Sequence, residues 1–124
     1  KRTCIQDNSV VAADQDIIIG DEVVIGHLVI CSAKKVGDRV LLGSGSKINS
    51  NVEIGTDCLI ASGAVVSQGT YIPTNSLVLG VPARIKSDLP IRYISMIKLI
   101  SDNYVEKTAR YKKQGGLESN RKKN

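Results

Sequence analysis

The 124-residue chain is predicted to be a β protein, a solenoid of short parallel strands followed by one C-terminal α-helix. Three observations predict it. Aliphatic residues recur at every sixth position through Val36, Leu42, Ile48, Ile54, Ile60, Val66, Ile72 and Val78. With Ile, Leu and Val at roughly 30% of the chain, eight in register arise by chance with a probability on the order of 10⁻⁴. Four positions after each anchor stands a small or β-branched residue (Val40, Ser46, Val52, Cys58, Ala64, Thr70 and Ser76), so each hexad turns two side chains inward. The composition agrees: four Tyr, no Phe or Trp and eleven Gly imply an aliphatic core with many tight corners.

At the start of the chain the repeat is less regular. Ile5 to Val11, and Ile19 to Ile25 to Cys31, keep the step, but a longer one precedes Ile19 and one of five residues separates Cys31 from Val36. Departures from a solenoid's period mark loops or corners, where function concentrates. Gly or Asn follows several anchors directly (Gly37, Gly43, Asn49, Gly55) and would weaken a continuous strand, so the chain is expected to turn there. Three hexads then make one triangular coil, with each anchor stacked on the one about eighteen residues earlier. Residues 1–89 are assigned to this solenoid, which Gly80-Val81-Pro82-Ala83 punctuates. Pro90 opens a helix over 90–114, because its missing N–H is no loss in a first turn. Ile91, Ile94, Ile97, Tyr104, Val105 and Tyr111, with Met96, Leu99 and Ile100 between them, are spaced for an apolar face that packs on the solenoid or on a neighbouring subunit. Gly115-Gly116 ends the helix, and 115–124 is expected to be a basic polar tail.

Composition narrows the function classes. Cys4, Cys31 and Cys58 form no CxxC pair and are odd in number, which favours free thiols in a reducing compartment. Cys31 and Cys58 fall on inward positions and read as small buried hydrophobes. No apolar run approaches the ~20 residues of a membrane-spanning helix. The net charge of +5 is uneven: residues 1–83 carry six basic and eight acidic side chains, residues 84–124 eleven and four. Lys107, Arg110, Lys112, Lys113, Arg121, Lys122 and Lys123 suit an acidic protein surface or anionic lipid headgroups. A nucleic-acid partner is not expected, since neither aromatic interleaving nor a recognition motif accompanies the charge.

Several segments together resemble the γ-carbonic-anhydrase family of hexapeptide-repeat, left-handed β-helices: Ile5-Gln6-Asp7-Asn8-Ser9-Val10, Ile19-Gly20-Asp21, Ile25-Gly26-His27, Val36-Gly37-Asp38-Arg39-Val40, Leu77-Val78-Leu79-Gly80-Val81-Pro82-Ala83, and Asp102-Asn103-Tyr104-Val105 in the late helix. The resemblance implies the left-handed winding and assembly as a trimer. It also implies coils preceding Lys1, with an Arg that bridges subunits. In the family three histidines bind a catalytic metal at a subunit interface, two from one subunit and the third, after Ile-Gly, from its neighbour. The corresponding positions here are Ala12, Ser32 and His27, the last being the chain's one histidine. A methyl group cannot ligate and a hydroxyl is a poor replacement for imidazole, so carbon dioxide hydration on a self-contained zinc is not expected. His27 is then either a remnant at an interface or a ligand donated to a zinc shared in a heterotrimer. Gln6 and Asp7 match residues that, in the family, lie near the bound water and knit the trimer; an interface role is expected of them here.

The expected function is that of a non-catalytic, γ-carbonic-anhydrase-like structural subunit of a homo- or heterotrimer. Degenerate members of this kind resemble subunits of the accessory module on the matrix side of mitochondrial respiratory complex I, peripheral to the inner membrane; otherwise a cytoplasmic protein is implied. Two other classes stand beside this one. One is an enzyme, either a carbonic anhydrase with borrowed ligands or a hexapeptide acyltransferase using a coenzyme A thioester with His27 as base. The other is a partner-binding scaffold recognised through the basic tail.

Overall fold

The computed structural model describes residues 3–12 and 16–114. The tail at 115–124 and the side chains beyond residue 103, including Tyr104, Val105, Tyr111 and the whole basic cluster from Lys107 to Lys123, lie outside the described residues. Twelve strands make the first four coils: β1 Cys4–Ile5, β2 Val10–Val11, β3 Ile18–Ile19, β4 Val24–Ile25, β5 Ile30–Cys31, β6 Lys35–Val36, β7 Val40–Leu42, β8 Lys47–Ile48, β9 Glu53–Ile54, β10 Cys58–Ile60, β11 Val65–Val66 and β12 Tyr71–Ile72. Every third strand stacks in parallel. The first face of the prism is β1-β4-β7-β10, the second β2-β5-β8-β11 and the third β3-β6-β9-β12. Strand β13 (Ser76–Gly80) continues the first face in parallel, and β14 (Ala83–Asp88) folds back against it antiparallel. The coil length is read from the register: Cys4 pairs with Val24, Val24 with Leu41, Leu41 with Leu59 and Leu59 with Leu77.

The two inward positions of each hexad form one core. Ile25, Cys31, Val36, Leu42, Ile48, Ile54, Ile60, Val66, Ile72 and Val78 are buried, as are Val23, Val29, Ala33, Val40, Ser46, Val52, Cys58, Ala64 and Ser76. Removing each large aliphatic side chain from water contributes roughly 2 kcal/mol. Stacking is necessary for this burial, because a single triangular turn leaves both sides of its anchors open. Ile5 illustrates the point: it pairs with the buried Ile25 in an inward register, yet as part of the first described coil it is 42% exposed. At the other end Ala83 packs against the core.

The glycines that follow the anchors have a different role from the expected one. The left-handed backbone that turns each corner belongs to the residue two positions later: Arg39, Gly45, Asn51, Asp57, Gly63, Gly69 and Asn75, six apart, with Asn8, Glu22 and Leu28 upstream. Gly43 is instead where coils approach each other, since a Cβ there would lie 2.5 Å from the Ser62 nitrogen. Between these two positions a side-chain oxygen accepts a backbone N–H from the preceding coil: Asp38 from Asp21, Thr56 from Asp38 and Ser44 from His27. The five-residue step from Cys31 to Val36 has no left-handed residue, and the Val52 carbonyl accepts both the Lys34 and the Lys35 N–H.

Helix α1 (Ile91–Gln114) runs along the outside of the first face and reaches β1. Ile97 is fully buried with Val24 and Leu89, flanked by Leu41, Leu59, Leu77, Tyr93, Ile94 and Ile100. The outward positions of this face are apolar because the helix covers them. Ile91, expected on the buried stripe, is 80% exposed, whereas Ser101 is buried. An ionic ladder reinforces the docking: Lys98 reaches Glu22 (4.0 Å), Glu22 reaches Arg39 (4.0 Å), and Arg39 Nε donates to Asp57 at 2.6 Å. Glu22, Arg39 and Asp57 are stacked left-handed corner residues, so alternating charge is built into the repeat.

Candidate functional site

The expected site residues divide between the two edges of the second face. At one edge, Asp7 and His27 occupy equivalent corners of consecutive coils, in register with the Ile5–Ile25 pair. Leu28 N–H donates to the Asp7 carbonyl (3.2 Å), and His27 N–H donates to Ser44 Oγ (3.1 Å). Ser9 completes the frame, its hydroxyl donating to the Gly26 carbonyl and accepting from Val29 N–H. The corner that carries His27 is therefore held from the coils on both sides, while its side chain is exposed. Gln6 N–H pairs with the Ile25 carbonyl (2.9 Å) beside the same corner.

At the other edge, Ala12 and Ser32 stack. Val11 pairs with Cys31, and Ala12 N–H donates to the Cys31 carbonyl (3.0 Å). Adjacent coils lie about 4.8 Å apart, a separation at which two long side chains could share one ion. Strand β5 separates this edge from His27. At the rise of a strand the two edges are on the order of 10–15 Å apart, whereas ligands of one zinc ion lie within about 4 Å of each other. One chain thus cannot bring His27 to the Ala12–Ser32 edge.

The donor set does not fit a self-contained metal centre, because a methyl group, a hydroxyl and one distant imidazole stand at the three positions. Among the described residues, no group of three or more His, Cys, Asp or Glu side chains converges. Cys31, next to Ser32, points into the core; burial pushes its thiol pKa up, with a hydrogen bond at Ala33 opposing, so it is held as the neutral thiol rather than a ligating thiolate. The arrangement offers one exposed imidazole on a hydrogen-bonded corner, able to act as a single ligand or a base toward something outside this chain.

Sequence reasoning missed Ser9, Ser44 and the left-handed Leu28, which together position His27. A signal existed: Asn8, Asn51, Asp57 and Asn75 share the left-handed place with Gly45, Gly63 and Gly69, so the corner could have been assigned by noting which residue types tolerate positive φ.

Comparison with known proteins is consistent with this geometry. A family profile described as "Bacterial transferase hexapeptide (six repeats)" matches residues 34–68. The chain is 34% identical over 110 residues to "Gamma carbonic anhydrase 1, mitochondrial" of Arabidopsis thaliana, covering 82% of this chain and 40% of that protein. It is 39% identical over 113 residues to a carbonic anhydrase of Geobacillus kaustophilus, covering 90% and 62%. It thus spans less than two thirds of either relative. Among solved structures, a hexapeptide transferase family protein from Anaplasma phagocytophilum superposes with a TM-score of 0.83 at 27% identity, over 90% of this chain and 66% of that one. Six-residue repeats, a four-coil parallel solenoid followed in the described residues by a C-terminal helix, and these relatives together support a γ-carbonic-anhydrase-like chain of the hexapeptide-repeat kind.

Proposed function

We propose that this chain is a structural, non-hydrating γ-carbonic-anhydrase-like subunit of a trimer, and that it serves as an accessory and assembly module of respiratory complex I on the matrix side of the mitochondrial inner membrane. The observation that carries the proposal is the split site: His27 stands at one edge of the second face and Ala12 with Ser32 at the other. Side-by-side packing of identical chains then offers one imidazole per interface, too few for a zinc ion that must hold three protein ligands and a water. The mitochondrial setting draws on the Arabidopsis relative named above. Peripheral association suits a chain in which, among the described residues, no helix is long and apolar enough to cross a membrane.

The exposure of His27 on a hydrogen-bonded corner favours a second reading, in which it is donated to a zinc whose other two ligands belong to a partner of different sequence. The match to hexapeptide transferases leaves His27 as the candidate base of an acyltransferase. The test is elemental analysis with intact mass spectrometry on the complex from its native source. Trimers with no zinc support the structural role. Heterotrimers with less than one zinc per chain, lost on His27→Ala, support the donated ligand. A homotrimer with stoichiometric zinc that hydrates carbon dioxide overturns the proposal.

A further inference from the structure

Helix α1 is apolar on the side that faces away from the solenoid as well as on the side that docks. Ile97 is fully buried against the first face. At 3.6 residues per turn Leu99 stands nearly opposite Ile97, with Ile91 to one side of Leu99 and Met96 to the other. Ile91 is 80% exposed, Leu99 61% and Met96 36%, and none of the three joins a buried cluster. Docking does not require them, because Tyr93, Ile94, Ile97 and Ile100 hold the helix to the first face. Polar side chains at 91, 96 and 99 would keep that contact and leave less apolar surface in water. Large apolar side chains gathered on the open side of a docked helix mark a contact with something outside the chain.

Charge indicates the occupant. The exposed Arg92 stands among these apolar side chains. Helix α1 runs on to Gln114, and from residue 104 to the end the sequence holds seven Lys and Arg against two Glu. One helix thus joins an outward apolar stripe to an excess of positive charge. That combination suits the headgroup layer of an anionic bilayer, where aliphatic side chains enter the acyl boundary and basic ones meet the lipid charges. An acidic protein would satisfy the charge, but it would need a groove shaped to spaced aliphatic side chains on a convex helix; a lipid surface adapts to them. We propose that the outer side of α1 docks on an anionic lipid surface, with Ile91 and Leu99 as the inserted side chains. The contact lies on the bilayer and not through it, since among the described residues no helix is long and apolar enough to cross. This inference rests on the peripheral placement proposed above and names the surface that makes it.

The test is flotation of the full chain with vesicles of phosphatidylcholine alone and of phosphatidylcholine with added phosphatidylserine, at low and high salt. The wild type is compared with Ile91→Ser/Leu99→Ser and with Tyr71→Ser, a control of similar exposure on the third face. The wild type is expected to float with the anionic vesicles, to stay off the neutral ones, and to be released by salt. Partitioning should fall at least about tenfold in the double variant and stay unchanged in Tyr71→Ser. Urea titration should give the double variant the wild-type midpoint, because both side chains lie outside the core. A wild type that ignores anionic vesicles, or floats equally with neutral ones, overturns the proposal whether or not the variants fold. So does a folded double variant that binds like the wild type, or binding to polyglutamate as tight as to the vesicles, which would assign the basic segment to an acidic protein. Retention of the chain on native mitochondrial membranes is scored separately: retention there without vesicle binding overturns the lipid contact and leaves the peripheral placement standing.

Discussion

Replacing Gly43 with Ala tests how the coils of this solenoid are spaced. Helix or loop reasoning would favour the change, since Ala restricts the unfolded chain and gains about 0.4–1 kcal/mol where its backbone angles are compatible. No positive φ forbids it at Gly43. The added methyl would, however, meet the Ser62 nitrogen at 2.5 Å, the Ala61 carbonyl carbon at 2.8 Å and the Ile60 oxygen at 2.8 Å, all backbone atoms of the next coil. These atoms cannot rotate away, so two coils must separate and the ladder bond from Gly43 N–H to the Ile60 carbonyl, 2.7 Å, must stretch. Overpacking of this kind costs roughly 1–3 kcal/mol, occasionally more. With the entropic gain subtracted and the stretched bond added, the net loss is about 2 kcal/mol, or a melting temperature lower by about 8 °C. Gly63→Ala is the control: there φ is +75° and nothing lies within 4 Å of the new methyl, so left-handed strain of about 1 kcal/mol is its main cost. Urea titration of both variants gives the comparison. If Gly43→Ala proves as stable as Gly63→Ala, coil contact is not the reason for glycine after the anchors.

Ser46→Ala is expected to be neutral or to stabilise by about 1 kcal/mol, because the buried Ser46 hydroxyl has no hydrogen-bond partner among the described residues; a loss of stability in thermal melts would reveal a partner. Arg39→Ala should cost about 1–2 kcal/mol and make the melting temperature less sensitive to salt, since Arg39, its pKa raised chiefly by the hydrogen bond to Asp57, joins Asp57 to the nearly buried Glu22. An unchanged melt would mean the ladder contributes no more than a surface ion pair. Burial pushes the thiols of Cys4, Cys31 and Cys58 up, so their contribution to stability is complete below the ordinary thiol value of about 8.5 and falls as pH rises through it toward the folded values. Stability measured from pH 7 to pH 10 should therefore decline less steeply in Cys31→Ala than in the wild type; parallel slopes would show that Cys31 does not titrate on unfolding.

The sequence by itself determined the repeat and its two inward columns, because burial in a solenoid is a local rule applied every six residues: a residue faces in or out by its place in the hexad, and aliphatic side chains mark that place. The C-terminal helix and the identity of the residues at Ala12, His27 and Ser32 were legible for the same reason, the first from periodicity and the second from a resemblance carried by short motifs. What the tertiary structure decided concerns relations between coils, which no window of sequence contains. Gly43 reads as a turn residue until the next coil is placed against it. Ile91 belongs to the apolar stripe by spacing, yet the direction in which α1 crosses the first face leaves it outside and buries Ser101. Ile5 keeps the anchor's pattern yet, in the first described coil, is half-exposed, and Leu28 looks like an ordinary apolar residue until its φ and exposure are known together. The separation of His27 from Ala12 and Ser32 by the width of one face is likewise a property of the prism: five residues of sequence become opposite edges only once β5 is extended between them.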